Sequence, residues 1–192
     1  MKDHLISKIA RHIDLNDKEV ELIRNSFRHG EFKANEYLDE PNKTSVNFYF
    51  IVEGLVRVFH LEEGKEINTI IVADQSFVSS YLSFIQQKPS SEYIQALEHT
   101  TTLSVSFHDM QNLYKNVRNW DKVGRIIAEH NFIRMANRVL FLQMKSGKKK
   151  YLDFLKNSDP KVIQRTPSLH IASYLGMAPE SLSRIKKDLL IS

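Results

Sequence analysis

The hydrophobic residues of this chain change their period near residue 109, and this change constrains the fold more than any other feature. Between Gly30 and Phe107, short apolar runs such as Phe48-Tyr49-Phe50-Ile51-Val52 alternate with turn signals such as Glu53-Gly54. Many short strands with regular turns are typical of a barrel or sandwich. From Asp109 to about residue 144, apolar residues recur at the 3.6-residue period of a helix. We therefore expect an α+β chain: two short helices, an antiparallel β-domain, and then helices.

Composition excludes several classes of protein and of site. The chain has 192 residues, of which 42% are hydrophobic and 26% are charged, and it contains no Cys. Disulfides, thiolate zinc sites, cysteine-ligated iron–sulfur clusters and a cysteine nucleophile are thereby excluded. No apolar run reaches the ~18 residues of a membrane span, and the N-terminus lacks the apolar core of a signal peptide. We expect a cytoplasmic protein that does not enter a membrane.

The charge of the chain is divided unevenly between its two parts. Residues 1–110 hold 11 Lys and Arg against 17 Asp and Glu, a net of −6, whereas residues 111–192 hold 16 against 6, a net of +10. A basic half indicates a polyanionic partner, with nucleic acid first among the candidates. The alternative is that these lysines only keep the helices soluble.

The helical segment after Asp109 carries apolar residues on two faces. One face holds Phe132, Met135, Val139 and Leu142, and the other holds Ile133, Ala136, Leu140 and Met144. Because a surface helix needs only one apolar stripe, two stripes indicate two packing partners. We expect the strand domain as one partner and the same helix of a second subunit as the other, through Ile126, Ile133 and Leu140, which are spaced by seven residues. Burial within one large monomer is the alternative.

A basic segment follows the long helix. Ser146-Gly147-Lys148-Lys149-Lys150 combines a glycine with three lysines, and we predict a flexible hinge there. A short helix is expected from Tyr151 to Leu155, ending near Pro160, because proline stops a helix.

The last 27 residues have the spacing of a helix-turn-helix. Thr166-Pro167 is expected to start the first helix, as its N-cap and first residue. Small Ala172 allows close helix approach, and Gly176 suits a turn that needs positive φ. Pro179 is expected to open the second helix. The apolar positions of this pattern are Ile171, Leu175, Met177, Leu182, Ile185 and Leu189.

The outward face of the second helix carries polar and charged residues. In this motif the N-terminal part of the second helix meets base edges in the major groove, where an arginine can donate two hydrogen bonds to guanine. The candidate DNA-binding residues are Ser168, Pro179, Glu180, Ser181, Ser183, Arg184 and Lys187. An ordinary helical hairpin with a polar face is the alternative.

With these motifs in place, residues 5–190 resemble the Crp/Fnr superfamily of bacterial transcriptional regulators, in the short form common in Bacteroidetes. The resemblance rests on residues 47–58, on Glu63-Gly64-Lys65-Glu66, on the long helix, and on residues 171–177 and 179–185. It implies a cyclic-nucleotide-binding-like β-roll (a double-stranded β-helix) over 1–108, a dimerisation helix over 109–146 and a helix-turn-helix domain over 147–192. It also implies that Gly54 is a β-roll glycine and that Glu180 and Arg184 read bases.

The segment that corresponds to the nucleotide-binding cassette departs from the family pattern. Ser80 takes the position of the glutamate that holds the ribose, Ser90 takes that of the arginine that holds the cyclic phosphate, and Ser91 keeps the hydroxyl. Without the bidentate arginine a phosphate loses its main charge-assisted contact, and Glu92 opposes an anion. We expect no binding of cyclic AMP or cyclic GMP, and no cofactor; the pocket holds another small effector or none. The candidate pocket residues are Ser79, Ser80, Tyr81, Ser90 and Ser91.

The C-terminus is the second departure. The sequence given ends at Ser192, before the strand wing of longer relatives, so phosphate contacts are expected from the helix ends and the basic hinge.

The resulting hypothesis is a homodimeric transcriptional regulator that binds double-stranded DNA at a palindromic operator and has RNA polymerase as a partner. One alternative is a small-molecule sensor that acts through a protein partner. Another is a cupin-like metal enzyme, but no His-x-His or His-x-x-x-His motif is present. We expect no enzyme activity and no metal site.

Overall fold

The computed structural model describes residues 1–144 and 146–190. Two helices open the chain, α1 (Lys2–Ala10) and α2 (Asp17–Ser26). A capping box starts α2: Asn16 Oδ1 accepts from Glu19 N at 3.0 Å, and Glu19 Oε2 accepts from Asn16 N at 2.9 Å. The other oxygen of Glu19 accepts from Arg118 N at 2.8 Å, so one carboxylate fixes both the start of α2 and a later turn.

Eight strands and one short helix follow in the described residues. They are β1 (Phe27–Phe32), β2 (Tyr37–Asp39), β3 (Asn47–Glu53), β4 (Leu55–Glu62), β5 (Lys65–Ala73), β6 (Ser76–Val78), α3 (Tyr81–Gln86), β7 (Tyr93–Ala96) and β8 (Thr100–Ser106). All strand pairs are antiparallel, in two four-stranded sheets with the orders β1-β8-β3-β6 and β2-β7-β4-β5. The predicted β-roll is confirmed.

The strands pack on both faces because their side chains alternate. Tyr49, Ile51 and Val78 face the interior of the roll. Phe48 and Phe50, on the opposite face of the first sheet, pack beneath the helices. The buried residues of that outer core come from α1, α2 and the helices after β8 as well as from the sheet.

The helical segment after β8 is two helices rather than one. Helix α4 (Phe107–Asn116) is separated from α5 (Trp120–Met144) by a turn in which Asn119 has φ of 61°. The Trp120 indole, 2% exposed, donates to Met110 Sδ at 3.4 Å and fixes the angle between the two helices. The predicted helix from Asp109 therefore needs correction, because the apolar period continues across a turn that asparagine permits.

Helix α5 packs on the roll through its first half, where Val123 and Ile127 contact the outer core. The prediction that the strand domain covers one of the two apolar faces is wrong for the residues that define those faces. Phe132 is 74% exposed and Ile133 is 53% exposed, so both stripes are open beyond residue 131. The side chain of Met144 lies outside the described residues.

Four helices complete the described chain: α6 (Gly147–Asn157), α7 (Pro160–Arg165), α8 (Ser168–Tyr174) and α9 (Pro179–Leu190). The predicted basic hinge is the N-terminal turn of α6: Ser146 is its N-cap, and Lys150 is buried. Gly147 serves close packing there, since a Cβ on it would lie 3.2 Å from Ile185 Cδ1 of α9. Helix α8 begins one residue later than expected, with Pro167 at its N-cap. Within the described residues no helix is long and apolar enough to span a membrane.

A glycine is required where β3 turns into β4. Gly54 has φ of 137°, and a Cβ there would lie 2.3 Å from Oγ1 of the buried Thr100. We expect Gly54→Ala to lower the free energy of unfolding by about 3 kcal/mol, because it adds an overpacking clash to a strained backbone. Urea unfolding measures this change.

Gly64→Ala is the matched control. Gly64 also has positive φ, of 75°, but a Cβ on it meets no atom within 4 Å. The backbone cost alone is about 1 kcal/mol. Equal destabilisation by the two variants would contradict the steric role of Thr100.

Candidate functional site

The helix-turn-helix forms from local contacts that the sequence predicts. Ala172 of the first helix, Leu175 at its C-cap and Leu182 of the second helix are fully buried against one another. Gly176 has φ of 64° in the turn, and Met177 N donates to Ala172 O at 3.0 Å. The small side chain and the left-handed glycine together let the two helices meet closely.

The second helix exposes a polar face, which we call the α9 outward face: Glu180, Ser183, Arg184 and Lys187. These residues line one shallow depression together with Pro179 and Asp188. In the described part of the chain, Arg184 and Lys187 make no ion pair and no side-chain hydrogen bond, so their cationic groups are available to an external partner.

The other two predicted DNA-binding residues lie apart from this face. Ser181 is half-buried. Ser168 is exposed at the start of α8, and its Oγ accepts from Lys186 Nζ at 2.8 Å.

The first helix of the pair is docked on the β-roll through contacts that sequence reasoning missed. We call these residues the docking interface: Arg57, Glu66 and Asn68 of the roll with His170 and Ser173 of α8. Ser173 Oγ donates to Glu66 O at 2.6 Å and accepts from Asn68 N at 2.9 Å. A β-bulge places Asn68 there, since the β4–β5 register shifts after Val58.

Arg57 is the centre of this interface and is only 3% exposed. Its guanidinium forms an ion pair with Glu66, donates to Gln95 Oε1 at 2.7 and 2.8 Å, and lies 4.0 Å from the centre of the Phe59 ring. It also lies 2.9 Å from His170 Nδ1. The hydrogen bond from Arg57 lowers the pKa of Glu66. One signal existed in the sequence: Arg57 interrupts the apolar run of residues 55–59.

A second ionic cluster joins α7 to the roll. Lys161 Nζ lies 2.7 Å from Asp74 Oδ1 and 2.8 Å from Glu98 Oε1, and Arg165 pairs with Glu98 at 3.0 Å. Burial alone would raise the pKa of Asp74, but the hydrogen bond and charge of Lys161 lower it. Asp74 and Glu98 are therefore ionised, and they hold α7 against the roll.

The candidate pocket residues do not form one site. Ser79 and Tyr81 line a cavity between α1 and α5, and the lining of that cavity includes neither Ser80, Ser90 nor Ser91. Ser80 is fully buried at the start of α3. Ser90 Oγ accepts from Glu92 N at 2.9 Å, and Ser91 Oγ lies 3.2 Å from His60 Nδ1. Among the described residues, no group of three His, Asp or Glu side chains could hold a metal ion.

Known proteins share this architecture. Residues 29–117 match the family model of the cyclic nucleotide-binding domain. No curated protein matches the chain in sequence.

Three solved structures illustrate the likeness. FixK2 from Bradyrhizobium japonicum superposes with a TM-score of 0.74 at 16% identity over 86% of this chain and 85% of FixK2. A transcriptional regulator of the Crp/Fnr family from Eubacterium rectale gives 0.72 at 17% identity over 93% and 85%. The c-di-GMP-responsive regulator CLP of Xanthomonas campestris gives 0.70 at 14% identity over 92% of each chain. At these identities the likeness establishes the fold, which agrees with the fold that the sequence predicts.

The docking interface predicts a dependence on pH. Arg57 can only donate, so His170 Nδ1 must accept, and the docked imidazole is neutral. Burial, and then the charge of Arg57, lower the pKa of His170, although Glu66 opposes them. Above the unperturbed pKa the ring is neutral whether docked or not, so pH has no effect. As pH falls through that value the undocked form binds the proton first, and docking weakens.

Hydrogen exchange measures this effect at the Asn68 amide, which docking protects. We expect its protection factor to fall between pH 7.5 and pH 5.5 in the parent. It should stay constant in His170→Gln, which cannot take up the proton. A parent protection factor that does not change with pH would contradict the neutral docked imidazole.

Proposed function

We propose that this chain is a homodimeric transcriptional regulator of the Crp/Fnr type, which acts in the cytoplasm by binding specific DNA. The observation that carries the proposal is the α9 outward face, which presents Arg184 and Lys187 without partners in the described chain. It stands on the second helix of a helix-turn-helix and in the half of the chain with a net charge of +10. The neighbours from Eubacterium and Xanthomonas, described as regulators of transcription or gene expression, support it.

In this proposal α9 lies in the major groove. Arg184 donates to guanine, Lys187 and Ser183 contact bases or phosphates, and Glu180 accepts from a cytosine amino group. Pro179 and Ser168 lie near the phosphate backbone at the helix ends. Ser181, being half-buried, contributes less than the sequence pattern implies.

The dimer forms through α5. In the single chain Ile126 is half-buried, while Ile133 and Leu140 are exposed along with much of the apolar surface beyond residue 131. An apolar area of this kind on an isolated helix is unfavourable in water, and a second α5 would cover it. Two recognition helices related by a two-fold axis require a palindromic operator, with half-sites about 10 base pairs apart or a multiple of that.

The effector of such a regulator is not a cyclic nucleotide. Ser80 and Ser90 replace the acidic and basic residues that grip the nucleotide, and in this chain both serines are buried. We propose RNA polymerase as the protein partner of the DNA-bound dimer. No cofactor is required by any of these steps.

Selection of random duplexes by the full-length protein at physiological salt tests the proposal. Recovery of a palindrome supports it. If binding is independent of sequence and disappears at raised salt, the chain is not a sequence-specific regulator in the form tested.

Arg184→Ala is expected to weaken operator binding by about 1–3 kcal/mol and to relax the preference at one position of each half-site. The weakening follows from removal of the bidentate hydrogen bonds to guanine. Titration of the selected operator and of its single-base variants measures both effects. Arg28→Ala, which removes an exposed arginine from β1, is the control. Equal binding by Arg184→Ala and the parent would remove Arg184 from the interface.

Lys148 and Lys149 are expected to contact phosphates. Both are exposed in the first turn of α6, where the positive end of the helix dipole adds to their charge. Lys148→Gln or Lys149→Gln should weaken binding to all sequences alike. Each should reduce the slope of log affinity against log salt by about 0.9 for every phosphate that the variant no longer neutralises.

Lys115→Gln, an exposed lysine of α4, is the control for the salt titration. A slope that stays the same in both α6 variants would show that this turn does not touch DNA.

A further inference from the structure

A cavity of about 640 Å³ lies where α1, β6 and the first half of α5 meet, and we call it the α1–α5 cavity. Its walls include Phe48 and Phe77 from the outer face of the first sheet. The adjacent residues Tyr49 and Val78 face the interior of the roll instead. The cavity thus opens beneath the helices, and its volume is typical of small-molecule sites.

The lining combines apolar surface with cations. Its apolar residues include Ile9, Phe48, Phe77, Val123, Ile126 and Ile127. Its basic residues are Lys8 of α1, Arg11 and His12 directly after α1, and His130 and Arg134 of α5. No Asp or Glu belongs to the described lining.

The cations at the cavity have no ion-pair partner within the described chain, although the charge of Glu92 acts on Arg134 at longer range. Lys8, Arg11 and Arg134 form no ion pair there. Lys8 Nζ donates to the backbone oxygen of Gln75 at 2.6 Å and lies 5.3 Å from the centre of the Phe50 ring. Burial, and then the charge of Arg11, lower the pKa of Lys8. An anion beside Lys8 and Arg11 would oppose both effects, because a negative charge favours the protonated lysine.

A buried polar atom at the cavity is also without a partner. Ser79 lines the cavity and is 4% exposed, and its Oγ makes no hydrogen bond within the described chain. Gln75 Oε1, another buried atom of the lining residues, is likewise unpartnered. Buried polar atoms almost always have partners in native proteins, so each orphan here indicates a missing one.

We propose that the α1–α5 cavity binds an amphipathic anion, a carboxylate or phosphate ester with an apolar body. Lys8 and Arg11 hold the anionic group, to which the Ser79 hydroxyl donates, and the body lies against Phe48, Phe77 and Ile127. Because Ile126 and Ile133 also line the cavity, the ligand touches the helix that joins the two subunits. The role of this ligand as the effector rests on the proposed function, whereas the binding of the ligand to the cavity does not.

Calorimetric titration of the full chain with decanoate, in the absence of DNA, tests the site. Decanol and decylamine carry the same apolar body with no charge and with a positive charge. We expect saturable binding of decanoate that is at least tenfold tighter than that of either analogue. We expect binding about tenfold weaker or worse in the Lys8→Gln, Arg11→Gln double variant, because this variant cannot form the hydrogen bonds between charged groups. Lys18→Gln on α2 should match the parent.

A second variant tests the hydroxyl. Ser79→Ala removes only the Oγ, so a several-fold loss of decanoate affinity is expected in a chain that keeps the parent fold by circular dichroism.

Three outcomes would overturn the site: no saturable binding, equal affinity for decanol and decanoate, or parent-like affinity in the Lys8→Gln, Arg11→Gln double variant. The duplex selection is independent of these titrations. A chain that binds decanoate but selects no operator would refute the regulator and keep the site. A chain that selects an operator but fails the titrations would refute the site and keep the regulator.

Discussion

One buried cation, the guanidinium of Arg57, is the central contact between the β-roll and the C-terminal helices. An arginine stays protonated in any protein environment, so Arg57 inside the sheet requires a carboxylate and further acceptors. Glu66 and Gln95 meet that requirement within the roll. The same guanidinium also contacts His170, 113 residues away on α8. Together with the hydrogen bonds of Ser173 to Glu66 and Asn68, this contact holds α8, the helix that precedes the turn to α9, against the roll.

Local patterns explain why the helix-turn-helix was predictable. Its packing is set by Ala172, Gly176 and Leu182, all within eleven residues, and each has one physical role in that motif. The alternation in β3 and the glycine at Gly54 are local in the same sense, and with the family resemblance they led to the β-roll. The apolar period failed at Asn119, because a left-handed turn needs one tolerant residue and leaves the period on either side intact.

The candidate site was less predictable than the helix-turn-helix, because local spacing determines only part of it. Which side chains share the α9 outward face follows from helical spacing, so Glu180, Ser183, Arg184 and Lys187 were found in advance. The docking interface and the α1–α5 cavity join residues more than 60 positions apart. Their formation depends on strand register, on the bulge before Asn68 and on the angle at which α5 leaves Trp120. A single sequence records none of these. The prediction of one pocket from four serines and Tyr81, made by counting along the cassette, assumed a geometry that the chain does not have.

Helix α5 is the physical connection between these regions. Its first half lines the cavity through Ile127 and Arg134. Its second half reaches the docking interface, where Arg138 donates to Asn68 O at 3.3 Å and stacks on Tyr174 at 4.4 Å. Another nitrogen of Arg138 is buried without a partner in the described chain, so the hydrogen-bonding capacity of this guanidinium is only partly used. A contact of that kind is weak enough to be exchanged, and a ligand that shifts α5 would act first on Asn68 and thereby on Ser173. The same helix exposes the apolar surface proposed for the dimer, so in that proposed dimer a displacement of α5 would move the two copies of α9 together.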